Sequence, residues 1–321
     1  MEMKLTTRAG FAGLFICAAT FLVACSGSSG SSESSMPETV VSETTIAEAT
    51  YPVTAGGITL DAQPMRIVSL SPTHTEMLYA IGAGEQVVAV DEYSNYPAEA
   101  VALGTKLSGF EPNVEAIAGY EPDFVVISYD PGNLVEQLNG LGIPVYVGNA
   151  ATSFDQVYEQ IEQLGALTGH IDTAVQLTAQ IQEEISAAVA SVGALSDPIS
   201  YYYELDNTYY SVTSNTFVGQ IFTLFGLTNI ADGVEAGNDY PQLSSEVIVA
   251  SNPQMIFLAD TVCCAQTPET VAARDGWKKM DAVVKQNIVV LNDDIASRWG
   301  PRVVELVKTI ATALTSFVTA G

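Results

Sequence analysis

Few residues in this chain can work together in acid–base, nucleophilic or metal chemistry. Its two histidines, His74 and His170, lie far apart, too few for a histidine-built zinc site. His170 stands at the head of a long helical pattern and reads as a surface residue. His74 falls in the first turn of the first predicted helix, where it faces either a cleft or ordinary turn packing. Cys263 and Cys264 are adjacent, in Asp-Thr-Val-Cys-Cys-Ala-Gln, which is not the Cys-x-x-Cys spacing of a redox motif. In an oxidising compartment such a pair can close a vicinal disulfide that stiffens its loop, and two buried thiols are the alternative. Ser71-Pro72-Thr73 follows the first clear strand, where a dinucleotide site needs a glycine-rich turn. The chain has no Walker loop and no Gly-x-Ser-x-Gly elbow. Its acids are too many to single out a catalytic pair. An enzyme, a resident cofactor and a metal centre are therefore not expected, and an extracytoplasmic hydrolase is the rival of another class.

What does recur is aromatic residues in loops. Tyr93 and Tyr96 follow one predicted strand and Tyr129 another, with Phe110 in the loop between. In the second half stand Tyr209, Tyr210, Tyr240 and Trp299. Arg298 precedes the last helix. Such side chains bind ligand by apolar contact with a few hydrogen bonds, and an arginine can donate to an amide, carboxylate or phosphate. Each can also be ordinary packing.

The elements that must position them alternate. β-rich runs at Arg66–Ser71, Val87–Asp91, Asp123–Ser128 and Pro144–Val147 are separated by helical patterns. That rhythm predicts a parallel sheet covered on both faces. Thr73 and Glu76 read as a capping box at the first helix. From Thr168 to Val192 a single helical pattern runs without strand or proline. After Pro198 the alternation resumes, with strands at Ile199–Leu205, Met255–Leu258 and Ile288–Leu291. The expected fold class is α/β, with two Rossmann-like lobes of parallel sheet joined by a single long helix. Open parallel sheets bind at the carboxyl ends of their strands, so the aromatics of the two lobes would face each other across a cleft.

The charge limits the partners. Eleven Lys and Arg stand against 37 Asp and Glu, a formal net charge of −26, which argues against nucleic acid and an anionic membrane surface as docking partners. Lys4 and Arg8, then an apolar run to Ala24, have the layout of a secretory signal. Leu22-Val23-Ala24-Cys25 is similar to the lipobox of bacterial lipoproteins, in which the cysteine receives the lipid; a plain anchoring helix is the alternative. The Ser/Gly/Glu tract after it reads as a leash. The expected organisation is signal 1–24, lipidated terminus and linker 25–57, N-terminal lobe 58–167, connecting helix 168–195 and C-terminal lobe 196–321. The body would lie outside the cytoplasm, anchored by lipid to the bacterial cell membrane.

An internal echo relates the halves. Asn113-Val-Glu115-Ala-Ile-Ala-Gly-Tyr-Glu-Pro122 and Ser244-Ser-Glu246-Val-Ile-Val-Ala-Ser-Asn-Pro253 each place a proline seven residues after the glutamate, just ahead of an apolar strand.

Several segments together carry a resemblance. Arg66-Ile-Val-Ser-Leu-Ser-Pro-Thr-His-Thr-Glu76, Val90-Asp-Glu-Tyr-Ser-Asn-Tyr-Pro97, the two echo segments and Ser297-Arg-Trp-Gly-Pro-Arg302 resemble the vitamin B12 and ferric-siderophore substrate-binding proteins of ABC importers, over residues 64–318. The resemblance implies two lobes joined by one helix and a monomeric body. Its partners would be a permease dimer with ATPase subunits. Glu115 and Glu246 match the acids that dock onto permease arginines. Tyr93, Phe110, Tyr129, Tyr240, Arg298, Trp299 and His74 are the expected ligand contacts. Phe110 and Tyr240 stand where cobalamin binders carry tryptophan. A cobalamin-type corrinoid is the expected ligand, with a ferric siderophore or haem as alternatives.

Overall fold

The computed structural model describes residues 50–320. The signal-like run, Cys25 and the Ser/Gly leash lie outside the described residues.

The body begins earlier than residue 58. Strands β1 (Val53–Ala55) and β2 (Ile58–Leu60) form an antiparallel hairpin. Gly56 and Gly57 turn it with φ of 55° and 79°, a region that favours glycine. The Tyr51 hydroxyl donates to the Leu167 carbonyl at 2.9 Å and ties this start to the lobe.

The N-terminal lobe runs β3 (Ile67–Ser69), α1 (Pro72–Ala80), β4 (Val87–Val90), α2 (Ala98–Ala102), α3 (Val114–Ala118), β5 (Phe124–Ile127), α4 (Leu134–Gly140), β6 (Val145–Val147) and α5 (Phe154–Thr168). Its sheet has the order β4-β3-β5-β6, all parallel. After α6 (Ile171–Val192) come β7 (Ser200–Glu204), α7 (Phe217–Thr223), β8 (Thr228–Asn229), α8 (Ser245–Ser251), β9 (Met255–Leu258), α9 (Pro268–Ala272), α10 (Asp281–Val284), β10 (Ile288–Val290), α11 (Asp293–Ser297) and α12 (Val303–Ala320). This second sheet is also parallel, in the order β10-β9-β7-β8.

Counted within each lobe, both sheets have the order second, first, third, fourth strand. The echo thus reflects a repeated topology: α3 leads into the third strand of one lobe and α8 into the third strand of the other. Apolar runs such as Phe124–Ile127 and Met255–Leu258 are wholly buried because helices cover both sheet faces.

The connecting helix starts three residues later than expected. Thr168 ends α5, Gly169 turns the chain with φ 81°, and α6 begins at Ile171. Over its 22 residues it spans about 33 Å. It buries Ala174, Thr178, Ile181, Ile185 and Ala188 on one face, between α5 and α12. A single apolar cluster runs from Ile67 and Met77 through Ile181 to Tyr201, Phe222 and Val307. The lobes therefore share a core along the rod, which opposes large relative motion.

The expected capping box is absent. Ser71, in extended backbone, is the N-cap of α1 and makes no side-chain cap bond, and Pro72 follows at the first helical position. The Ser71 hydroxyl pairs instead with His74 Nδ1 at 2.8 Å. Glu76 turns inward, because two arginines of the other lobe take its carboxylate.

Candidate functional site

Three loops at the carboxyl edge of the N-lobe sheet bring Tyr93, Phe110 and Tyr129 together. Tyr93 and Phe110 meet edge to face, with centroids 5.6 Å apart at 84°, and Phe110 and Tyr129 lie 6.3 Å apart at 46°. They are 53%, 64% and 40% exposed, unusually open for three touching aromatics in a folded body. Leu70, Pro72, Asp91, Gly109 and Ser128 complete a pocket of about 290 Å³. Gly109 allows the Phe110 loop its close approach, since a Cβ there would lie 2.7 Å from the Leu70 carbonyl oxygen.

A buried polar chain holds the Tyr93 loop from below. The Thr75 hydroxyl donates to Ser69 Oγ at 2.9 Å and lies 2.8 Å from Ser94 Oγ, and Ser94 donates to the Asp91 carboxylate. Burial pushes the Asp91 carboxyl up, against the bonds from Ser94 and the Tyr93 amide that pull it down.

On the C-lobe side Tyr240 is 55% exposed. It borders a cavity of about 120 Å³ with Phe217, Ile295 and Trp299, to which the N-lobe adds Ala150 and Ala151. Four of the expected contacts, Tyr93, Phe110, Tyr129 and Tyr240, are thus exposed aromatics, and Trp299 is half-buried in the cavity that Tyr240 borders.

Two expected contacts are committed elsewhere. His74 is wholly buried. Its Nε2 lies 3.1 Å from Gln160 Oε1, which also accepts from Trp299 Nε1 at 3.0 Å. Since Oε1 can only accept, Nε2 carries the proton and Nδ1 accepts from Ser71. His74 is therefore a packed interlobe residue, and burial lowers its pKa to about 4. An unfolded histidine titrates near 6.5. The neutral imidazole thus stabilises the fold fully above that pH, and the contribution is lost as pH falls towards 4. Between pH 7 and 4 the wild type is expected to lose up to about 3 kcal/mol more unfolding free energy than His74→Gln, read from denaturant titrations. Parallel curves would refute this assignment.

The Arg298 guanidinium is held by protein groups. Nη1 donates to Glu76 Oε1 at 2.8 Å and Asn95 Oδ1 at 2.9 Å. Nη2 donates to Asp294 Oδ1 at 2.7 Å and the Tyr93 carbonyl at 3.1 Å. Arg302 grips the same Glu76 through Nε at 2.9 Å and Nη2 at 2.6 Å. Sequence reasoning missed this interlobe cluster. The visible signal was the four-residue spacing of the two arginines, which says nothing of a partner so distant in sequence. Arg302 also covers the Tyr96 ring, 4.1 Å from its centroid. Tyr209 stacks on Trp277, with Arg274 5.3 Å from its ring. Tyr209 is therefore a packing residue, while Tyr96 remains 45% exposed beside Arg302.

Cys263 and Cys264 are free thiols, so the structure does not contain the expected disulfide. The turn is set by Asp293, whose carboxylate accepts from the amides of Thr261, Val262 and Cys263 at 2.8–3.0 Å.

Glu115 and Glu246 occupy matching places, each exposed in the first turn of its helix. Asn113 caps one helix by accepting the Ala116 amide and Ser244 caps the other through the Val247 amide. Among the described residues neither glutamate joins an ion pair. The Glu246 carboxyl is held below the usual range by its own amide and Ser244. Crossover helices run antiparallel to their strands, so both helix N-termini lie at the carboxyl edges of the sheets, alongside the aromatic loops.

Residues 67–295 match the family described as periplasmic binding protein. The chain belongs to that family. It is 33% identical over 265 residues to a cobalamin-binding protein of Halobacterium salinarum, covering 80% of this chain and 71% of that one. It is 29% identical to the ABC transporter substrate-binding lipoprotein YvrC of Bacillus subtilis, covering 96% and 97%. Among solved structures, the periplasmic vitamin B12 binding protein BtuF of Vibrio cholerae superposes with a TM-score of 0.65 at 26% identity, covering 79% of this chain and 97% of that one. The two-lobed parallel α/β architecture is thus the family's fold. The family is one of solute binders, which leaves the hydrolase reading without support.

Proposed function

We propose that this protein is an extracytoplasmic, lipid-anchored substrate-binding protein. It captures a cobalamin-type corrinoid between its lobes and delivers it to an ABC importer. The observation that carries the reading is the exposed cluster of Tyr93, Phe110 and Tyr129. Such a surface suits a large ligand with apolar faces and little net charge. Arg298, the cation nearest the cleft, is neutralised by Glu76 and Asp294, which disfavours an anionic ferric siderophore. Relatives named as cobalamin- or vitamin B12-binding proteins support this choice, and a similar haem-binding structure keeps haem as the second reading.

The cycle has no chemical step. Aromatic burial supplies most of the affinity, Cys25 carries the lipid, and Glu115 and Glu246 engage basic residues of a permease dimer. ATP hydrolysis in the importer's own subunits drives release. The test is binding by the purified body to cyanocobalamin, a ferric hydroxamate and haem, followed by tryptophan fluorescence and calorimetry. Cyanocobalamin is expected to bind at least 100-fold more tightly than the other two, about 2.7 kcal/mol. Preference for either iron chelate would overturn the corrinoid assignment.

A further inference from the structure

Tyr93 is held from two sides. Within its own lobe the Asp91 carboxylate accepts from the Tyr93 amide and the Ser94 hydroxyl, and the Glu92 amide donates to the Leu107 carbonyl at 2.8 Å. The outer side of the loop is held by the C-lobe. Arg298 donates to the Tyr93 carbonyl and to Asn95 Oδ1, and Asn95 Nδ2 returns a bond to Asp294 Oδ2 at 2.8 Å. Arg298 reaches across because it ends α11 in extended backbone (φ −114°, ψ 132°), before α12 begins. Its side chain is only 9% exposed, while the loop residues it bonds, Tyr93 and Asn95, stay exposed.

We propose that Arg298 is a positioning residue: from the C-lobe it fixes the Tyr93 loop, and with it the aromatic cluster of the N-lobe, in the geometry that receives the ligand. The proposal rests on the reading of that cluster as the ligand surface. Tyr93 packs edge-on against Phe110, and Phe110 against Tyr129, so freeing the Tyr93 carbonyl loosens all three rings. Separating the lobes withdraws Arg298 from that carbonyl. Cleft opening and loss of the ordered aromatic surface are therefore one event, which gives an importer that pries the lobes apart a route to weaken ligand binding. Glu76 plays a different part. It neutralises Arg298 and Arg302 but makes no bond to the Tyr93 loop.

The experiment compares Arg298→Gln, Arg298→Lys and Glu76→Gln in the otherwise intact protein. It measures melting temperature, hydrogen exchange of the ligand-free protein, and the off-rate of cyanocobalamin. Arg298→Gln is expected to raise exchange at residues 92–97 and 108–111 and to speed the off-rate at least tenfold. Arg298→Lys should fall between it and wild type, since one ammonium cannot serve four acceptors at once. Glu76→Gln is expected to lower the melting temperature yet keep loop exchange and off-rate within twofold of wild type. Equal effects of Glu76→Gln and Arg298→Gln on exchange and off-rate would overturn the proposal and leave Arg298 a structural ion-pair member. So would an Arg298→Gln protein whose loop exchange and off-rate match wild type. If the wild type binds no cyanocobalamin, the corrinoid reading fails, while the exchange comparison still decides the role of Arg298.

Discussion

Cells carrying Glu115→Arg together with Glu246→Arg are expected to lose ligand uptake, while the purified double variant binds ligand as the wild type does. The argument is electrostatic and geometric. Each glutamate is exposed at the first turn of the helix that leads into its lobe's third strand. The lobes share one topology, so the two charges form a matched pair, suited to a partner that is itself two-fold. Reversal converts attraction to repulsion at both contacts. Like charges facing each other at an interface cost several kcal/mol, enough for a hundredfold or greater loss of complex. Neither side chain contacts the aromatic cluster, so ligand affinity should hold within twofold. Single reversals should give intermediate uptake, and added salt should weaken wild-type docking. Normal uptake by the double variant would remove these residues from the docking role. Normal fold and ligand affinity in the same variant keep the outcome from being a folding defect.

The second large effect is at Phe110. It is the central ring of the N-lobe cluster, touching both Tyr93 and Tyr129. At 64% exposed it contributes little to the empty fold. Truncating a central aromatic at a binding surface removes about 2–4 kcal/mol of binding free energy, a 30- to 1000-fold rise in Kd. Phe110→Ala is therefore expected to lose ligand by calorimetry while melting within about 2 °C of wild type, as surface changes usually do. Phe110→Trp is expected to restore or improve binding, because indole offers a larger flat face. An alanine variant with unchanged Kd would place the ligand elsewhere. Tyr129→Ala and Tyr240→Ala should cost less, each losing a ring at the margin of the site.

Much of this was legible before any coordinates. Apolar strands alternating with helices announce parallel sheets, because only strands covered on both faces read as continuous hydrophobic runs. The unbroken pattern to Val192 announced the rod, and Gly169 moved its start by three residues because a left-handed turn separates α5 from α6. The aromatic loops were legible because parallel sheets open their carboxyl edges to ligand. The short strand β8 was not, since a two-residue pairing leaves no periodicity to read.

The roles of single polar residues followed a different rule. Glu76 sits three residues after Thr73, the spacing of a capping box, and local pattern offers no reason to look further. In the fold its carboxylate lies within 2.9 Å of two arginines more than 220 residues later in the chain. A pair of buried charge-assisted contacts outweighs one exposed cap bond. Position near the cleft marks Arg298 and His74 as ligand contacts, yet Arg298 is bonded across the lobes and both His74 ring nitrogens are bonded within the N-lobe.

By itself, then, the sequence determined the α/β architecture, the two related halves, the exposed aromatic loops and the paired glutamates. These depend on local periodicity and on repeated spacing, which the chain carries in order. Only the tertiary structure decided which polar groups remain available to a partner. Hydrogen-bond donors and acceptors are allocated by distance in space, and the lobes meet through residues that sequence separation keeps far apart.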